Sequence, residues 1–168
     1  ELQHLSQTDG LTGLFNRQHL DKRLAEEMDR ARRYGTPLSL IIFDIDYFKK
    51  INDSFGHITG DKILQTTASV IRETLRNTDI AGRFGGDEFV TILVQTDLHV
   101  GMQVAERLRL RIEQQRVKVD KDRDAGFSIS LGICQFDSTI ARAEDFIARA
   151  DEALYKAKRD RRNKVCKA

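Results

Sequence analysis

Apolar positions along this chain fall into two alternating periods. Leu20, Leu24, Met28 and Ala31 recur at helical spacing and predict a helix over Asp21 to Tyr34, ended by Gly35-Thr36-Pro37. Leu38 to Asp44 is a short apolar run that stops at a carboxylate, as a buried strand does. A polar, partly helical segment spans Tyr47 to Gly60. Leu64, Ala68, Ile71 and Leu75 then mark an amphipathic helix over Asp61 to Arg76. Asp79 to Phe84 and Glu88 to Val94 read as strands joined by the hairpin signal Gly85-Gly86. Val100, Val104, Leu108 and Ile112 predict another helix, and Lys118 to Gly126 is charged and loop-like. Phe127, Ile129, Leu131 and Ile133 alternate with Ser128, Ser130 and Gly132, the period of a half-buried strand. Phe146, Ile147, Ala150, Leu154 and Ala157 make a last helix that runs into the basic stretch Lys156 to Lys164.

After the first helix the order is strand, helix, strand, strand, helix, strand, helix. This predicts an α+β fold, an α/β sandwich around a ferredoxin-like βαββαβ core with extra helices. In that core the third strand lies between the first and second, antiparallel to both. Asp44, ending the first strand, should then meet Asp87, opening the third.

The length of 168 residues suits one domain with one sizeable core. The net charge of +2 excludes a dense basic face that would grip a nucleic-acid polymer. Cys134 and Cys166 have no metal-ligand or redox spacing, which fits a reduced, intracellular setting. No apolar run is long enough to span a bilayer, and there is no signal peptide. The start at Glu1 rather than Met suggests a piece of a longer protein, with residues 1–8 ending an upstream helical linker and residues 9–168 forming the domain.

Asp44, Asp46, Asp87 and Glu88 converge at one sheet edge in this topology. Gathered carboxylates repel unless something neutralises them, and Mg²⁺ commonly takes one or two carboxylates plus substrate phosphates. A single acidic strand end is usually only solvated; two clusters brought together point to a metal. Gly85-Gly86 reads equally as a plain turn and as a place where a phosphate or base approaches the backbone.

Gly85-Gly86-Asp87-Glu88-Phe89 spells the signature of the GGDEF family of diguanylate cyclases, which this chain resembles from Asp9 to Asn163. Asp9-Gly10-Leu11-Thr12-Gly13-Leu14-Phe15-Asn16-Arg17 is similar to the family's opening segment. Phe43-Asp44-Ile45-Asp46-Tyr47-Phe48-Lys49-Lys50-Ile51-Asn52-Asp53, Phe55-Gly56-His57 and Gly60-Asp61 resemble its metal and guanine segment. Ser130-Leu131-Gly132-Ile133 and Leu154-Tyr155-Lys156-Ala157-Lys158 resemble its last strand and helix.

The resemblance implies a palm core, as in class III nucleotidyl cyclases, that condenses two GTP into cyclic di-GMP. It assigns Asp44, the Ile45 carbonyl and Asp87 to two Mg²⁺ per half-site, with Mn²⁺ as a substitute, and Glu88 to a base or further ligand. It assigns Asn52 and Asp61 to guanine, for which an amide and a carboxylate offer the right acceptors and donors. Phe48, His57, Gly85 and Gly86 complete the substrate contacts. Lys49, Lys158 and Arg162 would neutralise the triphosphate. Taken alone, Asn52 reads as a turn residue, and Lys158 and Arg162 as a solvated helix end. Arg161 stands where the family usually has Gly, which bears on how Arg162 is held. Arg76-Asn77-Thr78-Asp79 fits the Arg-x-x-Asp motif of product-inhibited members, with Arg107 as a second arginine. Turnover would require a homodimer under an upstream regulatory domain, in the cytoplasm. The rival readings are a catalytically inactive receptor for GTP or cyclic di-GMP, and another nucleotidyl cyclase of the same fold.

Overall fold

The computed structural model describes residues 6–168. The expected linker end lies mainly in residues 1–5, outside the described residues; Thr8 bridges to Phe15 in extended conformation. Helix α1 spans Arg17–Tyr34, starting four residues before the expected Asp21, because Asn16 caps it by accepting from the His19 N–H at 3.0 Å. Strand β1 is Leu38–Ile45, α2 is Phe48–Phe55 and α3 is His57–Thr74. Gly56, at φ +88°, separates α2 from α3, so the segment expected to be partly helical is almost wholly so. Strands β2 (Ile80–Gly85) and β3 (Glu88–Val94) precede α4 (Leu98–Glu113). The charged stretch expected as a loop carries a short hairpin, β4 (Val117–Lys118) with β5 (Asp124–Ala125). Strand β6 (Ile129–Gln135), α5 (Ala143–Arg159) and β7 (Val165–Lys167) complete the order.

The main sheet runs β2-β3-β1-β6-β7. Strand β3 lies between β1 and β2 and is antiparallel to both, the predicted palm arrangement. Helices cover both faces. Ile41, Phe43, Phe89, Leu93, Leu131 and Ile133 pack with α3 and α4 on one side. Leu40, Ile42, Val90 and Ile92 pack with α1 and α5 on the other. That double burial explains why β1 reads as an apolar run interrupted only by Ser39 before it reaches Asp44. It also corrects the half-buried reading of β6: Ser130 and Gly132 are buried too. A Cβ at Gly132 would stand 2.2 Å from the Ala150 carbonyl, so glycine there lets α5 press directly on the strand. Strand β7 pairs parallel with β6, and three residues behind a basic run leave no periodicity to announce it.

Candidate active site

Strand pairing delivers the carboxylates. Asp44 is in register with Glu88 across β1 and β3, and the Ile45 N–H donates to the Asp87 carbonyl at 3.4 Å. Ile45 itself is buried. On the β6 side Asp44 faces Ser130. One Asp44 oxygen pairs with the Lys158 ammonium, which α5 brings over the sheet edge. The other, Oδ1, is buried without a hydrogen-bond partner. Burial, reinforced by the Asp44 carboxylate, pushes the Asp87 carboxyl above the usual range; Lys158 and Arg83 oppose this without reversing it. Glu88 is raised in the same way, first by burial, then by Asp44 and Asp151.

The turn before these acids is braced. Gly85 and Gly86 take φ +144° and +51°, which suits residues without a Cβ. Arg83 donates to the Gly86 carbonyl through Nε at 2.9 Å and its terminal nitrogen at 2.7 Å. Its remaining nitrogen reaches Asp9 at 3.2 Å. Asp9 also accepts from the Thr12 N–H at 2.9 Å and hydroxyl at 2.7 Å. The opening segment therefore holds the turn through a single arginine. Sequence reasoning recorded Asp9 only as part of the opening motif and Arg83 only as a strand position; nothing in their local pattern signals this contact.

Beyond Asp44 the chain turns into α2 and α3, which pack against each other. The Asn52 Oδ1 is buried and has no partner. A Cβ at Gly60 would lie 1.9 Å from that oxygen and 3.4 Å from the tip of Phe48, so glycine keeps the space between them open. Asp61, His57 and Lys49 stand exposed around it. Arg162 lies with its guanidinium carbon 4.7 Å above the Tyr47 ring. Residues Arg161, Arg162 and Asn163 all have positive φ, 69°, 58° and 46°. Position 161 is thus left-handed, which is why glycine suits it and why Arg161 there is strained.

Asp46 departs from the expected cluster at the metal edge. It is 4% exposed and accepts from Ser128 Oγ at 2.7 Å, Ser130 Oγ at 2.5 Å and the Asn163 N–H at 3.0 Å. Its carboxylate is already satisfied. Among the described residues no group of three His, Cys, Asp or Glu side chains is gathered as a ready-made metal cage. A buried, unpartnered carboxylate oxygen beside two carboxyls that resist ionisation fits an ion that draws its remaining ligands from a substrate.

A sequence model of the family described as "Diguanylate cyclase, GGDEF domain" matches residues 6–164. This chain is a GGDEF domain. It is 45% identical to diguanylate cyclase DgcP of Pseudomonas aeruginosa over 94% of its own length and 23% of that protein. It is 41% identical to diguanylate cyclase DosC of Escherichia coli, over 94% of this chain and 34% of the relative. The domain therefore spans about a quarter to a third of those relatives. The GGDEF domain of DgcB from Caulobacter crescentus, solved with c-di-GMP, superposes with a TM-score of 0.93 at 32% identity, covering 99% of this chain and 98% of that one. Diguanylate cyclase SiaD of P. aeruginosa, solved with its activator SiaC, gives 0.92 at 37% identity, over 97% and 62% of the two chains.

In this GGDEF domain the Arg-x-x-Asp motif is a closed corner. Arg76 reaches the Asp79 carboxylate at 3.0 Å, the Val94 carbonyl at 2.7 Å and the Thr96 hydroxyl at 2.8 Å. Arg76 and Asp79 line a cavity of about 480 Å³ with Arg23, Glu27 and Arg30. Arg107 is exposed on α4 and lines a different groove, with Met102 and Leu110. Among the described residues no helix is long and apolar enough to cross a membrane.

Proposed function

We propose that this domain condenses two GTP into cyclic di-GMP and two pyrophosphates, working in the cytoplasm as one half of a two-fold dimer. The observation that carries the reading is the sheet edge where Asp44 meets Asp87 and Glu88, with a buried Asp44 oxygen left unpartnered. Asp44, the Ile45 carbonyl and Asp87 would hold two Mg²⁺, or Mn²⁺ in their place. When bound, such ions would supply a lowered pKa for the attacking 3′-hydroxyl and would offset charge on the attacking and leaving oxygens. The unpartnered Asn52 oxygen accepts from a guanine N–H, and Asp61 accepts from another. Phe48 and His57 flank the base. Gly85 and Gly86 let a phosphate approach the backbone. Lys49, Lys158 and Arg162 carry triphosphate charge, and Lys158 exchanges its Asp44 contact for a phosphate oxygen when the nucleotide arrives. Glu88, held with a raised proton affinity, is placed to take the proton of the attacking hydroxyl. Product would bind at Arg76, Asp79 and Arg107 and inhibit. Because the relatives are three to four times longer, an upstream regulator of dimerisation belongs to the same proposal.

The test is incubation of the dimeric protein with GTP and Mg²⁺, with the product identified by chromatography and mass. Cyclic di-GMP is the expected product. GTP binding without turnover in a forced dimer would establish the receptor reading instead. A product with one nucleotide per ring would establish a mononucleotide cyclase.

A further inference from the structure

The loop that carries Arg162 is held in an unusual way. Three consecutive residues with side chains, Arg161 to Asn163, sit in the left-handed region. Such a run persists only where the surroundings over-determine it. Asn163 is gripped at three atoms: its N–H by Asp46 Oδ2 at 3.0 Å and Ser130 Oγ at 3.1 Å, its side-chain oxygen by Arg109 at 3.1 Å, and its side-chain nitrogen by Glu113 at 2.8 Å. The Arg162 N–H donates to the Ala157 carbonyl at 3.0 Å. Its guanidinium then rests over Tyr47, next in sequence to Asp46.

We propose that Asp46 is a positioning residue for the nucleotide triphosphate: its buried carboxylate latches the Arg161–Asn163 loop to the end of β1 and so fixes where Arg162 presents its charge. The proposal rests on the reading that Arg162 meets the triphosphate. The carboxylate has a physical reason to be there. It faces only donors, two serine hydroxyls and one backbone N–H, so it must accept throughout, which a carboxylate does and a carboxamide does not. Asp46→Asn places an NH₂ against one of those donors and loosens the loop at the Asn163 backbone, beside Arg162, while the Asn163 side-chain contacts and the Arg162 N–H to Ala157 remain. Asn52 and Gly60, which meet on α2 and α3, are left untouched.

The experiment measures binding of two probes with Mg²⁺ present: a GTP analogue methylene-bridged between its α- and β-phosphates, and guanosine. The parent, Asp46→Asn, Arg162→Ala and the double variant are compared, each with its melting curve. Asp46→Asn should weaken the analogue about tenfold and leave guanosine within about twofold, on the scale of a hydrogen bond to a charged group. On the Arg162→Ala background it should add nothing, because the two losses are one loss. Equal losses on both backgrounds, or an equal loss for guanosine, would make Asp46 a general prop of the fold and overturn the proposal while sparing the Arg162 assignment. Undiminished analogue binding by Arg162→Ala would remove that assignment, and the latch falls with it. Should Asp46→Asn not fold, Ser130→Ala, which removes the hydroxyl shared by Asp46 and the Asn163 N–H, carries the same comparison with the same outcomes.

Discussion

The carboxylate edge and the Arg76 corner are both charged, both lie at strand ends, and are built on opposite principles. At the edge, Asp44 keeps a buried oxygen without a partner, and burial and the Asp44 charge push the Asp87 and Glu88 carboxyls above their usual pKa range. At the corner, Arg76 satisfies Asp79, Val94 and Thr96 within the chain, and the Asp79 side chain is 2% exposed beneath it. The edge leaves a buried acceptor without a partner, where the proposed cation would sit; the corner is satisfied and would have to share its arginine with a ligand. Residues that serve a ligand weaken the empty fold, whereas residues that serve the fold strengthen it.

The sharpest way to break this contrast is Asp87→Asn. Turnover should fall roughly 100-fold or more, the scale of lost electrostatic stabilisation in a transition state. Stability should rise, and the sign with pH follows from linkage. The folded state binds this proton more tightly than the unfolded chain. The ionisation penalty is therefore absent below the unfolded pKa, grows as pH rises toward the elevated folded value, and is complete above it. Melting curves of parent and variant should coincide in acid and separate toward neutrality; a pH-independent gap would refute the account.

Arg76→Ala should do the reverse. Stability should drop by roughly 1–3 kcal/mol, because the buried Asp79 side chain loses its guanidinium partner and keeps only the backbone N–H of residue 76. Turnover should persist while inhibition by product weakens. Undiminished inhibition would mean the corner binds no product. Gly60→Ala extends the comparison to the second unpartnered acceptor. The new Cβ displaces a flexible Asn52 side chain rather than backbone, so melting should move little while guanosine binding weakens roughly tenfold. The smallest effect belongs to Arg161→Gly, which should stabilise the fold by up to about 1 kcal/mol by relieving a left-handed residue. Denaturant titration would read this.

Much of the candidate site was legible because its residues lie in contiguous motifs. Asp44 ends an apolar run and Asp87 follows a glycine turn, and strand order alone puts them side by side. The resemblance to the GGDEF family added the guanine and phosphate positions. What escaped were the side-chain hydrogen bonds between segments remote in sequence. Arg83 reaches back 74 positions to Asp9, and Asp46 reaches forward to Ser128, Ser130 and Asn163. Asp46 was grouped with the metal edge because it sits two residues from Asp44, and only the folded chain shows its carboxylate already occupied. Strand β6 was read as half-buried because Ser130 and Gly132 are small and polar or bare. In the structure α5 needs that smallness to approach, and Ser130 serves Asp46.

The sequence by itself determined the periods, and with them the main helices, the core strands with the third between the first and second, and the family. Periodicity is a local property that survives without a partner. Tertiary structure alone decided which polar atoms are satisfied and which are left waiting. That property depends on what lies opposite each atom across the core, and no linear spacing encodes it.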